Sequence, residues 1–176
     1  MPIEKSILGV AGEFAVAAEL CRRNIYAQLT MGHRKRTDLL VVGENGRMFR
    51  IEVKAKQGRD WPACRGISDK GSFLVFVDFA DKSVMERPDF YVLTVGDWRT
   101  FLKRAVARYR KDHPDRRVKI RDDNVVVFED ERNRYDKPYE GCGVKAEDIQ
   151  SHKEVWGKLN CVRQRSSRNL STVRPA

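Results

Sequence analysis

The stretch from residue 36 to 57, RTDLLVVGENGRMFRIEVKAKQ, constrains the fold most, because it puts acids where a buried strand should be apolar. Two β-rich runs, residues 37–42 and 47–56, flank the turn Gly43-Glu44-Asn45-Gly46, which is the pattern of an antiparallel hairpin. Asp38 opens the first run, and Glu52 and Lys54 interrupt Ile51, Val53 and Ala55 in the second. Strand alternation sends Glu52 and Lys54 to one face and the three apolar residues to the other. A three-residue loop with Gly46 in the left-handed region sets Asp38 across from Glu52. A two-residue Asn45-Gly46 turn would instead set Asp38 across from Val53 and separate the carboxylates. The first register is the expectation adopted.

Two adjacent carboxylates raise each other's pKa unless a cation lies between them. Magnesium or manganese suits such a pair, since these hard ions take oxygen ligands, keep several waters and can activate one against a phosphodiester. Lys54 shares the face of Glu52 and can orient water or stabilise charge developing on phosphate. The competing reading is a cross-strand salt bridge on a solvated face. A third acid, Glu13, stands in an N-terminal amphipathic pattern. Ile7, Val10, Ala11, Phe14, Ala17, Ala18 and Cys21 form the expected buried stripe, and Glu13 lies off it among Gly9, Val10, Val16, Ala17 and Leu20. A carboxylate there is desolvated unless it finds a partner, and Gly12 lets another backbone or ligand approach closely.

A helix carrying Glu13, then Asp38, then Glu52-Val53-Lys54 in a hairpin resembles the PD-(D/E)xK nuclease superfamily, which includes restriction endonucleases and archaeal Holliday-junction resolvases. The resemblance covers roughly the first half of the chain and has Thr37 where the motif's name has proline. It implies Asp38 and Glu52 as metal ligands, Lys54 as the catalytic lysine and Glu13 as an additional helix acid. Gln57 resembles the polar residue that some branches place after the motif. The fold implied is α/β: a restriction endonuclease-like core with a mixed central β-sheet flanked by helices and the N-terminal helix packed on the sheet. The function implied is Mg2+- or Mn2+-dependent hydrolysis of phosphodiester bonds in DNA. The alternative is a nucleic-acid-binding module that keeps this fold without cutting.

Charge points the same way. The 176 residues carry 35 Lys and Arg against 25 Asp and Glu, a formal net charge of +10, which favours a polyanionic partner through counterion release. Arg34, Lys35 and Arg36 lead into Asp38, and Lys56, Gln57 and Arg59 follow Lys54, so both groups are expected to contact nucleic acid. Cys21, Cys64, Cys142 and Cys161 are scattered without zinc-ligand spacing and read as free thiols, Cys21 packed in the core. No apolar run approaches a membrane span and the N-terminus lacks a signal-peptide layout, so the expectation is a cytoplasmic protein. Cutting both strands of a duplex is compatible with a homodimer.

At 41% hydrophobic residues the chain can bury one core. We expect one nuclease-like domain over residues 1–160, with its core in 1–112 and a C-terminal extension in 113–160, followed by a basic, disordered tail over 161–176. The elements expected are strands at 25–30, 73–79, 89–95 and 125–128, the second and third of these central in the sheet, and a helix after Asp97. That helix buries Trp98, Phe101, Leu102, Ala105 and Tyr109 beneath a basic outer face. Residues 58–72 read as a polar loop in which Trp61 caps the core or stacks on a base, 129–143 as an irregular connection, and 146–160 as a last helix anchored by Ile149, Trp156 and Leu159.

Overall fold

The computed structural model describes residues 2–30, 37–43 and 46–162. The expected basic tail beyond residue 162 and the cationic run Arg34-Lys35-Arg36 lie outside the described residues. Helix α1 (Leu8–Arg22) precedes β1 (Tyr26–Leu29), the hairpin β2 (Leu39–Val42) and β3 (Met48–Lys56), a short β4 (Trp61–Cys64), then β5 (Ser72–Asp78) and β6 (Asp89–Thr94). The chain continues through α2 (Val95–Asp112), β7 (Val118–Ile120), β8 (Val126–Arg132), β9 (Pro138–Glu140) and β10 (Cys142–Val144) to two 3-10 helices, Ala146–His152 and Trp156–Val162. The central sheet runs β1-β2-β3-β5-β6 and is mixed: β3 and β5 are parallel, and every other neighbouring pair is antiparallel. This is the α/β architecture expected from the sequence, with the N-terminal helix packed on the sheet.

Strand β5 explains why the sheet can be covered on both sides. Its run SFLVFVD is buried at every position, the signature of a strand with apolar layers above and below. On one face Val16 and Leu20 of α1 meet Leu39, Val41, Ile51, Val53, Val75 and Val77, and Trp156 and Leu159 close the same layer. On the other face Leu74, Phe76 and Leu93 pack against Trp98, Phe101 and Leu102 of α2, together with Trp61, Val118 and Val126. Each fully buried Leu, Val or Phe contributes about 1.5–3 kcal/mol of transfer free energy. Among the described residues no helix is long and apolar enough to cross a membrane.

Helix α1 presents a different stripe from the one its spacing predicts. Gly12, Val16, Glu19 and Leu20 are buried, whereas Ile7, Val10, Phe14, Ala18 and Cys21 are exposed. The helix is apolar around most of its circumference, so periodicity offers two stripes and packing chooses between them. Gly12 supplies the reason: a Cβ built on it would sit 2.7 Å from the Cβ of Ala55, so the helix lies against β3 along its narrowest line. Glu19, on the same side, is held by Arg23 at 2.6 Å and by Arg87 at 2.9 Å.

Other expectations are corrected in detail. Strand β6 is the sheet's edge rather than a central strand, its outer side met among the described residues by the bridge Tyr91↔Lys153 and by Glu154 N, which donates to Phe90 O at 2.8 Å. The loop at 58–72 contains β4, which pairs with β10, and Trp61 is buried with its indole N–H donating to Val77 O at 3.3 Å, so it caps the core. The charged stretch 129–143 forms the rest of β8, the strand β9 and the start of β10, because Arg117, Lys119 and Arg121 neutralise Asp130, Glu129 and Glu140 across the pairs. The last helix is two 3-10 helices, broken where Glu154 takes a positive φ of 56° and its carboxylate caps the edge through Phe90 N at 3.2 Å. At α2 the N-cap is Thr94, and Asp97 serves as the third helical residue of a capping box.

Candidate metal-binding site

The hairpin keeps the three-residue register. Leu39↔Ile51, Leu40↔Arg50, Val41↔Phe49 and Val42↔Met48 are partners, and Gly46 has φ +74°, the left-handed conformation such a loop requires. Strand β2 leaves the ladder at Asp38, whose own N–H donates to Ile51 O at 2.9 Å. Beyond that point β3 has lost its neighbour, and the Asp38 carboxylate turns in to replace it: Oδ2 accepts the Val53 N–H at 2.6 Å. Asp38 is therefore fixed against β3 beside Glu52 by a charge-assisted bond, with Oδ1 left for another ligand.

Glu52 is 4% exposed. Its Oε1 lies 2.8 Å from Lys54 Nζ, and its Oε2 is buried without a hydrogen-bond partner among the described residues. Comparison with the other buried acids sharpens the point. Glu19 is gripped by Arg23 on Oε1 and by Arg87 on both oxygens, and Asp78 Oδ1 takes Lys56 at 2.6 Å and the Ala80 N–H at 2.9 Å. An unsatisfied buried polar atom costs about 1–3 kcal/mol, more when charged. The Thr37 hydroxyl, next to Asp38, is likewise buried and unpartnered.

Lys54 feels opposing influences. Burial alone would lower its pKa, but the Glu52 carboxylate and then Asp38 outweigh that and hold the ammonium above the ordinary lysine value. It is a fixed cation and not a base at neutral pH. Glu13 is half-buried on α1, next to Gly12, and its pKa is raised first by burial and then by the negative charge of Asp38, with Lys54 acting in the opposite sense. Asp38, Glu52 and Lys54 thus lie together where β2 parts from β3, and Glu13, on the helix that covers the opposite sheet face, senses the charges of Asp38 and Lys54. Among the described residues no three His, Cys, Asp or Glu side chains already converge as a cation cage. A pair of carboxylates suits magnesium, which is commonly held by one or two carboxylates and otherwise keeps its waters.

The residues expected to touch nucleic acid divide. Lys56 is buried, paired with Asp78, donating to Gly58 O at 3.0 Å and lying 4.7 Å from the centre of the Trp61 ring. Its ammonium is consumed by the fold, which corrects the sequence expectation. Gln57 is also occupied: its amide accepts from Ile3 N at 2.7 Å and donates to Ile3 O at 2.6 Å, clamping the segment before α1. Arg59 is exposed. On α2, part of the basic face is engaged by neighbouring elements while staying exposed, since Arg99 bonds Asn124, Arg108 bonds Asp148 and Arg110 bonds Val118 O. Sequence reasoning missed the Val53 N–H, the group that orients Asp38, because a backbone donor carries no residue-type signal.

No protein-family model matches the chain, and no curated protein matches it. A solved structure of a bacterial homing endonuclease, I-Ssp6803I, overlays on 53% of this chain and 70% of its own length, with a TM-score of 0.38 and 18% sequence identity. The overlay is loose and transfers no residue role to this chain.

Proposed function

We propose that this protein is a metal-dependent nuclease of the PD-(D/E)xK type, hydrolysing phosphodiester bonds in DNA with Mg2+ or Mn2+ held by Asp38 and Glu52. The observation that carries the reading is the orphaned Oε2 of Glu52, a buried carboxylate oxygen left open beside a second carboxylate fixed by a backbone N–H. A divalent cation there supplies Lewis-acid polarisation of the phosphate and a water of lowered pKa. The chain's own residues do the rest. Asp38, locked through Oδ2, presents its other oxygen in a fixed direction. Lys54, kept protonated, donates hydrogen bonds toward the attacking water or the phosphate oxygens, where negative charge develops. Glu13, which senses the charges of Asp38 and Lys54 from α1, would support the ion's water shell. The net charge of +10 favours association with the polyanion.

The test is a panel of labelled duplex, branched and single-stranded DNA and RNA, incubated with Mg2+, Mn2+ or chelator. Metal-dependent cutting of DNA is expected. Lys54→Ala should bind DNA as wild type does while the chemical step slows by about 2–4 kcal/mol. Asp38→Asn should lose activity that excess Mn2+ partly restores, because the substitution removes a formal charge from the ion's ligand set. A wild type that binds the panel and cuts none of it would leave the non-cleaving module as the reading.

A further inference from the structure

Among the described residues, the sheet face that carries Glu52 and Lys54 is covered only in part. The layer of Trp61, Phe76 and Trp98 lies over β5 and β6, and β1, β2 and the first half of β3 stand outside it. The registers Tyr26↔Val42 and Val42↔Met48 set Tyr26, Val42 and Met48 in one row across the three strands. The registers Gln28↔Leu40 and Leu40↔Arg50 set a second row beside it. Alternation then puts Glu52 and Lys54 next along β3 on the same face. Ala27, Leu29, Leu39, Val41, Phe49 and Ile51 all point the other way, into the layer beneath α1. The open rows are largely apolar, with Gln28 as their exposed neutral polar member: Tyr26 is 62% exposed, Met48 72% and Leu40 39%. Arg50 is the cation among them, and it is paired with Asp69.

We infer that this face is a platform for unpaired nucleotides of the substrate, stacked on Tyr26 and Met48 and leading along β3 into the Asp38–Glu52 site; the inference rests on the nuclease reading above. A duplex shows phosphates outward and hides its bases, so a flat apolar face with one neutralised arginine has little to offer it. Unpaired bases present π faces, which aromatic side chains on an open sheet accept without regard to sequence. The thioether of Met48 adds a polarisable surface of the same kind. Met48 stands four residues from Glu52, about 13 Å at strand rise, so one strand can lie on the platform and enter the site. The acids and the platform are continuous along a single strand, and the excess positive charge of the chain suits a nucleic acid better than an apolar protein partner.

The experiment measures binding in chelator, where cutting is absent, of a labelled oligothymidylate and of a blunt duplex of the same length. The proteins compared are wild type, Tyr26→Ala, Tyr26→Phe and Met48→Ala, all folded by circular dichroism. Tyr26→Ala should weaken the single strand by roughly 5- to 150-fold. The duplex should lose much less, and Tyr26→Phe should restore the single strand to near the wild-type value. A 2-aminopurine in the oligonucleotide should be quenched by wild type and not by Tyr26→Ala. Equal losses for single strand and duplex, or a Tyr26→Ala protein within twofold of wild type, would overturn the platform while leaving the nuclease reading intact. A change in sedimenting mass with Tyr26→Ala or Met48→Ala would show that the face joins two copies of the chain and would overturn it too. No binding of any nucleic acid by wild type would remove both readings.

Discussion

Gly12 is where α1 lies against Ala55 of the hairpin with no space for a side chain, and it stands next to Glu13. Gly12→Ala gains up to about 1 kcal/mol in helix propensity, but the new methyl would lie 2.7 Å from Ala55 Cβ, an atom that cannot swing aside. Overpacking of this kind costs about 1–3 kcal/mol, so the variant should unfold at lower denaturant and should cut more slowly as Glu13 is pushed from the site. Ala55→Gly should relieve the contact, making the double variant more stable than the two single changes sum to. A stabilised Gly12→Ala protein would contradict this packing. Glu52 is the complementary case, because there the destabilising feature is kept: Glu19 and Asp78 show that this fold can satisfy a buried acid, and at Glu52 it leaves one oxygen open.

At the scale of elements, thiol chemistry separates surface from core. Cys21 is exposed on α1, while burial pushes the thiols of Cys64 and Cys142 up to about 12. In the native protein at neutral pH an alkylating reagent should therefore label Cys21 within minutes and reach Cys64 and Cys142 only after unfolding, as peptide mapping would show. Fast labelling of Cys64 would mean that β4 and β10 do not stay paired. The same elements show what the sequence could and could not convey. The hairpin register was legible because Gly46 in a three-residue loop leaves one pairing that keeps the acids together, and Gly46 does adopt that conformation. The buried side of α1 was not, because a helix apolar all round has no single moment and a contact at Gly12 decides. Nor were β4 and β10, whose few residues pair with each other from far apart in the sequence. Lys56 looked like a phosphate contact because its partner, Asp78, is 22 positions away at the end of a parallel neighbour, a pairing that no local pattern reveals.

The whole molecule is held by charge networks that join its ends. Burial pushes the Glu19 carboxyl up, and Arg87 and Arg23 reverse this and leave it below its usual value; Glu154 and Asp97 are likewise lowered against burial, mainly by Arg87 and by Lys158. His152 is lowered by burial and then by Lys158, whose ammonium donates to its Nδ1 at 2.7 Å and to Asp97 at 2.8 Å. For each group the folded pKa lies below the unfolded one, so stability is fully present above the unfolded value and declines as pH falls. The decline should begin below about 6.5 with His152 and steepen below about 4.3 with the carboxylates. His152→Gln, which can still accept from Lys158, should flatten the thermal-stability profile between pH 6.5 and 5 and leave the acid limb in place. An unchanged profile in that window would remove His152 from the network. The central claim, that Asp38 and Glu52 hold a divalent cation, is tested most directly by calorimetric titration of the apoprotein with Mn2+. Wild type should bind saturably, Asp38→Asn at least tenfold more weakly, and Glu52→Gln without saturation, with wild-type stability rising by about 2.7 kcal/mol at a hundredfold excess of metal over Kd. No saturable binding by wild type, or equal binding by all three proteins, would contradict it.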